Sequence, residues 1–144
     1  MENRIAVVER IREFNRFYTV LIGTLNNRFL GTEFSVTETR ILFELLSNDG
    51  CSANLLVNKL HIDKSYMSRI LKSFEKRQLI RKQTSDEDRR AQCIYFTEKG
   101  IQTIQELIAV TNNDIGGLIQ TLSDEECREV CRAMDTITTC LSKE

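Results

Sequence analysis

The sequence of 144 residues contains no proline, no tryptophan, a single histidine and only 7% aromatic residues. Without proline the chain lacks the strongest helix breaker, which favours a fold made of long helices. No apolar run approaches the roughly 18 residues that a membrane-spanning helix needs. The charged N-terminal stretch MENRIAVVERIREFNR also lacks the apolar segment of a signal peptide, so we expect a cytoplasmic protein.

The cysteines and the histidine follow no catalytic or metal-binding pattern. The five cysteines match no common zinc spacing, and in a reducing compartment structural disulfides are not expected. Cys127 and Cys131 share a helical face, but Cys140 would point nearly opposite, so we interpret the pair as small buried residues rather than metal ligands. His61 is interpreted as an exposed turn residue, with a cap or a phosphate contact as the alternative. We expect no enzyme activity, no cofactor and no metal site.

Acidic and basic residues are unevenly distributed along a chain whose formal net charge is only −1. Residues 59 to 90 contain ten Lys and Arg against five Asp and Glu, whereas the other 112 residues contain ten against sixteen. A basic segment on an otherwise acidic protein is typical of a surface that binds nucleic acid.

Hydrophobic periodicity and capping signals predict six helices. The predicted helices span residues 2 to 30, 36 to 48, 53 to 61, 64 to 77, 98 to 121 and 124 to 142. Their predicted capping residues are Ser35 with Glu38, Ser52, Asp63, Thr97, and Ser123 with Glu126. Gly116 and Gly117 fall inside the fifth helix, where each costs on the order of 1 kcal/mol relative to alanine. The two glycines therefore indicate a kink, a close helix contact or an early helix end.

The apolar pattern changes after residue 78 from helical to alternating. LIRKQT and QCIYFT are β-prone and flank the charged stretch SDEDRRA, which predicts a two-stranded hairpin with a charged tip. Short helices followed by such a hairpin are the arrangement of a winged helix-turn-helix. We therefore predict a mainly α fold with a small β hairpin, in which long N- and C-terminal helices flank the winged helix-turn-helix.

The fourth helix has two chemically different faces. On a helical wheel Met67, Ile70, Leu71 and Phe74 share one side, which we expect to face the core. The opposite side carries cations and hydroxyls and no acid, and this composition suits the major groove of DNA, where arginine can bond a guanine edge. The candidate DNA contacts of this helix are Lys64, Ser65, Tyr66, Ser68, Arg69, Lys72, Ser73 and Lys76. The alternative is the solvated face of an ordinary surface helix.

Two further candidate DNA contacts, Arg89 and Arg90, lie at or near the tip of the predicted hairpin. A narrow minor groove has an enhanced negative potential that attracts an inserted arginine. Because three acids precede the arginines, one acid should pair with an arginine and orient it. We choose Asp88 as the orienting partner and Arg90 as the inserted group. A solvated turn whose charges neutralise one another is the alternative.

Residues 35 to about 100 resemble the MarR (multiple antibiotic resistance regulator) family of winged-helix transcription regulators. SVTETRILFELL resembles the second helix of that family, SANLLVNKLHIDKSYMSRILKSFEKRQLIRK its helix-turn-helix, and EDRRAQCIYFTEKG its wing. The chain departs from the family at three positions. Gln78 stands where glycine is common, Ser85 replaces an aspartate of the wing, and Leu56 replaces a small residue. If residue 78 needs a positive φ, glutamine costs about 1 kcal/mol there.

The resemblance implies a homodimer built from the first, fifth and sixth helices. An apolar stripe on the sixth helix supports a dimer independently, since a lone helix cannot bury such a stripe. The stripe and its neighbours are Cys127, Val130, Cys131, Met134, Ile137 and Leu141. We expect one domain over residues 1–144, with a winged-helix DNA-binding lobe at 35–97 and a helical dimerisation lobe at 1–30 and 98–144.

The resemblance further implies a ligand-responsive repressor that binds a near-palindromic operator in double-stranded DNA. A small apolar or aromatic ligand would bind between the dimerisation and DNA-binding helices, where apolar residues of the first, second and fifth helices could line a pocket. Two alternatives are a winged-helix protein-interaction module without DNA binding and a thiol- or metal-responsive sensor. Redox-sensing members of the family use a cysteine in the N-terminal helix. This chain has no cysteine before Cys51, so a sensor would depend on Cys51 or Cys93.

Overall fold

The computed structural model describes residues 3–28 and 34–142. Over these residues the order of helices and strands confirms the predicted mainly helical fold with one hairpin. The elements are α1 (Arg4–Arg28), α2 (Val36–Ser47), α3 (Ala53–Leu60), α4 (Lys64–Lys76), β1 (Ile80–Thr84), β2 (Gln92–Phe96), α5 (Glu98–Ile119) and α6 (Asp124–Leu141). The predicted ends of the first helix, at residues 2, 29 and 30, lie outside the described residues.

Side-chain caps begin the helices where the sequence predicts them. The Ser35 hydroxyl accepts from the Glu38 N–H at 3.1 Å, and the Glu38 carboxylate accepts from the Ser35 N–H at 3.0 Å. Ser123 and Glu126 form the same reciprocal capping box at α6. Ser52 caps α3 and Asp63 caps α4. Each cap satisfies backbone N–H groups that the first helical turn leaves without a partner.

The hairpin is joined to the loop between α2 and α3. β1 and β2 pair antiparallel over all five residues of each strand. On β2, the Ile94 carbonyl accepts from the Gly50 N–H at 2.8 Å, and the Ile94 N–H donates to the Cys51 carbonyl at 2.9 Å. Gly50 has a φ of +81°, and a Cβ there would lie 3.0 Å from the ring of Tyr95. Glycine is therefore needed at this turn for its backbone conformation and for the close approach of Tyr95.

The hydrophobic core of the winged region confirms the predicted inner face of α4. Met67, Ile70, Leu71 and Phe74 are all buried, and three of them are essentially inaccessible to solvent. Leu56 of α3 is also fully buried, so the core accommodates a large residue at this position. The core is completed by Phe34, Ile41, Leu42, Leu45, Leu79, Ile80, Ile94, Ile104 and Leu107.

The end of α4 is a Schellman motif with glutamine at its left-handed position. Gln78 has a φ of +61°, so the requirement for a positive φ is confirmed. The Gln78 N–H donates to the Glu75 carbonyl at 3.0 Å, and the Leu79 N–H donates to the Phe74 carbonyl at 2.9 Å. These two bonds reverse the chain at the end of the helix and lead it into β1.

Contacts divide the chain into two compact units, Met1–Leu107 and Ile108–Glu144. The first unit contains α1, the winged region and the first part of α5. The second unit contains the rest of α5 and α6. The division falls inside a continuous helix, whereas the predicted lobes meet at residues 97 and 98. The assignment of those lobes to DNA binding and dimerisation stays a prediction.

The first and last helices, α1 and α6, leave much of their apolar surface exposed in the single chain. In the first unit Ile5, Phe17 and Val20 of α1 are each more than 60% exposed. In the second unit α6 has no buried residue. Cys131 is exposed and Cys127 half-buried, so the interpretation of this pair as core residues is wrong for the chain by itself. None of the described helices is both long and apolar enough to span a membrane.

The two glycines of α5 lie inside the helix, which ends at Ile119 rather than at residue 121. A Cβ added at Gly116 or Gly117 would meet no atom within 4 Å. A close helix contact within the described part of the chain therefore does not explain either glycine.

Candidate nucleic-acid interface

The candidate interface begins with the exposed face of α4, which is oriented by the burial of the opposite face. Because the four core residues of α4 are fixed, the residues between them must point to solvent. The exposed candidates are Lys64, Ser65, Tyr66, Ser68, Arg69, Lys72 and Lys76. Ser73 is half-buried, so it is the least accessible of the predicted contacts.

Arg69 has a partner within its own helix. Its guanidinium carbon lies 5.5 Å from the centroid of the Tyr66 ring, within the range of a cation–π interaction. The Tyr66 N–H in turn donates to the Asp63 carboxylate at 3.1 Å, so the first turn of α4 is capped where Tyr66 sits. The contact with Tyr66 restricts the conformations of the Arg69 side chain. It does not use the guanidinium N–H groups, which can still donate hydrogen bonds to acceptor atoms on base edges.

The tip of the hairpin is closed by Ser85. The Ser85 N–H donates to the Ala91 carbonyl at 2.9 Å. The Ser85 hydroxyl accepts from the Glu87 N–H at 3.3 Å and from the Asp88 N–H at 3.4 Å. A serine hydroxyl can replace a carboxylate in this type of side-chain turn. The replacement of aspartate at residue 85 therefore keeps the local turn.

Asp88 contacts Arg90, but through the backbone. Its carboxylate accepts from the Arg90 N–H at 2.9 Å. The predicted orienting contact was with an arginine side chain, and in the described structure no ion pair joins Asp88 to the guanidinium of Arg89 or Arg90. Both arginine side chains are exposed. Asp88 thus fixes the backbone from which Arg90 projects and leaves the direction of its guanidinium free.

Sequence reasoning did not single out Arg81, an exposed cation of β1. Its guanidinium carbon lies 4.6 Å from the centroid of the Tyr95 ring, and it donates to the Gln83 side-chain oxygen at 3.0 Å. Arg81 is exposed and stands opposite Tyr95 in the hairpin. The strand register that pairs these residues was the available signal, because directly opposed residues on antiparallel strands have adjacent side chains.

Some cations of the basic segment are engaged inside the fold instead. Arg77 lies 3.3 Å from the Glu38 carboxylate, and its guanidinium carbon stands 4.4 Å from the centroid of the Phe34 ring. Lys59 lies 3.4 Å from the Glu44 carboxylate. The excess positive charge that remains for a ligand is therefore concentrated on α4 and the hairpin.

The Cys51 thiol of the winged region has an environment that disfavours reactivity. Burial raises the pKa of the Cys51 thiol, and the negative charges of Glu44 and Asp49 add to the rise. A raised pKa leaves little thiolate at neutral pH. Among the residues that the structure describes, no three His, Cys, Asp or Glu side chains are grouped so that they could hold a metal ion.

The sequence from Phe34 to the tip of the hairpin carries the family signal. Residues 34–91 match the model of the MarR family. This winged region of the chain is therefore similar to the MarR family. The matched region contains α2, α3, α4, β1 and the hairpin tip. It therefore includes both the exposed face of α4 and the arginines at the tip. No curated protein sequence matches the chain.

Solved structures of MarR proteins share the fold. A MarR family protein from Bacillus stearothermophilus is 19% identical over 99% of this chain and 100% of its own, with a TM-score of 0.85. A putative MarR family transcriptional regulator from Listeria monocytogenes, complexed with 26mer DNA, is 21% identical over 91% of this chain and 87% of its own, with a TM-score of 0.74. A MepR mutant of Staphylococcus aureus bound to an oligodeoxyribonucleotide is 18% identical over 92% and 98%, with a TM-score of 0.62.

Proposed function

We propose that this protein is a sequence-specific regulator of transcription of the MarR type that binds double-stranded DNA as a homodimer. The observation that carries the proposal is the division of α4 into a buried apolar face and an exposed cationic face. The major groove is wide enough to admit one α-helix, and the cationic face of α4 suits the negative charge of DNA. The Listeria and Staphylococcus structures, both with DNA, support the same use of the fold.

The roles of the side chains follow from their positions. Arg69 is the candidate for reading a base edge, because arginine can donate two hydrogen bonds to guanine. Lys72 and Lys76 are candidates for phosphates, which they attract without regard to sequence. Arg90 at the hairpin tip is the candidate for the minor groove, where the potential is most negative over A·T-rich sequence.

The exposed apolar surface supports association of two copies. In the first unit α1 exposes Ile5, Phe17 and Val20, and in the second unit α6 exposes Met134 and Leu141. Apolar stripes of this size on helices are normally covered by a partner. A twofold dimer would present two copies of α4 to half-sites about one DNA turn apart, roughly 34–36 Å. The corresponding operator is a near-palindrome.

Repression and control by a small apolar or aromatic ligand complete the proposal. Phe14 and Tyr18 on α1 are exposed and stacked, with ring centroids 5.6 Å apart and an interplanar angle of 10°. Such a pair offers a flat aromatic ligand a stacking surface. A ligand regulates only if it binds one arrangement of the DNA-binding helices better than another.

Selection of bound duplexes from a random pool tests the DNA-binding function and yields the symmetry of the site. The selected sequence is expected to be a near-palindrome, and its affinity should fall steeply with salt because neutralised phosphates release counterions. Sedimentation equilibrium of the free protein should give the mass of two chains. A pool that shows no enrichment at low salt, or a protein that stays monomeric at micromolar concentration, would refute the proposal.

A further inference from the structure

The end of α4 and the start of α5 are joined by a set of hydrogen bonds that we name the α4–α5 junction. It consists of residues 77–79, which leave α4, and residues 97–100, which begin α5. Three consecutive carbonyl groups of the first segment, those of Arg77, Gln78 and Leu79, accept hydrogen bonds from the second segment.

The donors of the junction are two side chains and one backbone group. The Lys99 ammonium donates to the Arg77 carbonyl at 3.1 Å, and the Thr97 hydroxyl donates to the Gln78 carbonyl. The Thr97 N–H donates to the Leu79 carbonyl at 3.0 Å. The Thr97 hydroxyl also accepts from the Gly100 N–H at 3.0 Å, so it caps α5 while it binds the end of α4.

The bond from Lys99 lies at the end of α4, because its acceptor is the carbonyl of the C-cap residue Arg77. The last carbonyl groups of a helix have no partner within it and carry a partial negative charge. Lys99 places a positive charge there, which the helix dipole favours. The contacts connect residues 19 and 22 positions apart in the sequence. They therefore fix the end of α4 to α5 directly, in addition to the covalent path through the hairpin.

We propose that Thr97 and Lys99 are positioning residues that couple the orientation of the recognition helix α4 to α5. The inference rests on the proposed function of α4 in DNA binding. Neither residue needs to touch DNA. α5 continues past Leu107 into the second unit. A shift in the position of α5 would therefore be transmitted to α4 through the hydrogen bonds of the junction. Such a change would alter operator affinity without altering any side chain that contacts the operator.

The direct test is Lys99→Met, which removes one donor and leaves the cap of α5 intact. Lys99 is exposed, so the variant should fold. The two measurements are the dissociation constants for the selected operator and for a random duplex of equal length, at one salt concentration. We expect operator affinity to fall about tenfold, the effect of one charge-assisted hydrogen bond, with random-duplex affinity nearly unchanged. Lys99→Arg, which keeps a donor and the charge, should restore most of the difference.

Thr97→Val and Thr97→Ser form a second, independent pair. Valine removes the hydroxyl at similar size, whereas serine keeps both of its hydrogen bonds. Thr97→Val should lose operator preference in the same way, at a temperature where circular dichroism shows a folded protein. Thr97→Ser should behave as the wild type.

Two results would overturn the proposal. An equal loss of affinity for operator and random duplex in Lys99→Met would make Lys99 a phosphate contact. Unchanged operator affinity in both Lys99→Met and Thr97→Val would leave the junction without a role in recognition. Failure of the proposed function itself is distinguishable, because the wild-type protein would then show no preference for any duplex.

Discussion

Gly100 lies directly against the backbone of Leu79: a Cβ built on Gly100 would stand 1.9 Å from the Leu79 carbonyl oxygen. The same Cβ would lie 2.9 Å from the ring of Phe96. The first turn of α5 therefore approaches the chain that leaves α4 so closely that only glycine fits. Backbone atoms cannot rotate away as a flexible side chain can, so any larger residue must displace the junction.

We predict that Gly100→Ala destabilises the protein by about 1–3 kcal/mol, the usual cost of overpacking a close contact. The measurement is the free energy of unfolding from urea denaturation. Gly116→Ala in the same helix is the matched control, since its Cβ would meet no atom within 4 Å. The control should be stabilised by about 1 kcal/mol through helix propensity. A Gly100→Ala variant as stable as the wild type would contradict the close approach.

Gln78→Gly should stabilise the protein. A residue with a Cβ pays roughly 1–2 kcal/mol in the left-handed region, whereas glycine costs about 0.4–1 kcal/mol through the greater freedom of the unfolded chain. The net gain is expected to be about 0.5–1 kcal/mol. Thermal unfolding measures it, and Gln78→Ala, which keeps the Cβ, should show no such gain. Loss of stability in the glycine variant would mean that the glutamine side chain makes a contribution larger than its strain.

Local features of this fold were predictable from the sequence. The boxes at Ser35 and Ser123 connect residues three apart, and the inner face of α4 follows from helical periodicity alone. The junction was not predictable. Lys99 meets the Arg77 carbonyl across 22 residues, and nothing in the sequence near either residue indicates the contact. Only the fold brings them together.

Periodicity also identifies an apolar face without identifying what covers it. Periodicity places Cys127 and Cys131 on one apolar stripe and indicates burial, but in the single chain Cys131 is exposed and Cys127 half-buried. At the hairpin tip, the charge pattern predicts that Asp88 pairs with an arginine side chain, whereas its carboxylate accepts from the Arg90 N–H. Its contact with the backbone depends on turn geometry that charge alone does not reveal.

Arg69→Ala and Arg90→Ala should weaken DNA binding in different ways. Loss of a bidentate base contact costs about 1–3 kcal/mol and relaxes the sequence preference at that position. Loss of a cation at the hairpin tip should weaken binding with less effect on preference. Repeating the duplex selection with each variant measures both effects, and Arg132→Ala in α6 serves as a control for loss of charge. Unchanged affinity in both variants would end the assignment of these arginines to the grooves.

Cys51 should react slowly with iodoacetamide at neutral pH. Its pKa is raised by burial and by nearby carboxylates, so the reactive thiolate is scarce below that pKa and increases as the pH rises. The rate should therefore grow steadily from pH 7 to pH 9 and beyond. Mass spectrometry of digested protein compares it with the exposed Cys131 and Cys140 in the same sample. Labelling of Cys51 at pH 7 as fast as that of the exposed cysteines would contradict the raised pKa.

Glu38→Gln isolates the ion pair that links α2 to the end of α4. The Glu38 carboxylate accepts from the Ser35 N–H at 3.0 Å and lies 3.3 Å from Arg77. Glutamine can still close the capping box, because its amide oxygen accepts the same hydrogen bond. With that oxygen in the capping box, the amide NH2 group faces Arg77, so the substitution removes both the charge attraction and the hydrogen bond that Arg77 donates to Glu38. Since both side chains are less than one-third exposed, we expect a loss of roughly 1 kcal/mol, above the typical value for a fully exposed pair.

Glu126→Gln is the matched control for this substitution. Glu126 closes an equivalent capping box at α6, and within the described residues it takes part in no ion pair. Urea denaturation should give a smaller loss in Glu126→Gln than in Glu38→Gln. The difference between the two should shrink in 1 M NaCl, because salt screens a partly exposed charge pair. Equal losses of unfolding free energy in the two variants would assign the effect to the capping boxes. The contact between Glu38 and Arg77 would then make no measurable contribution to stability.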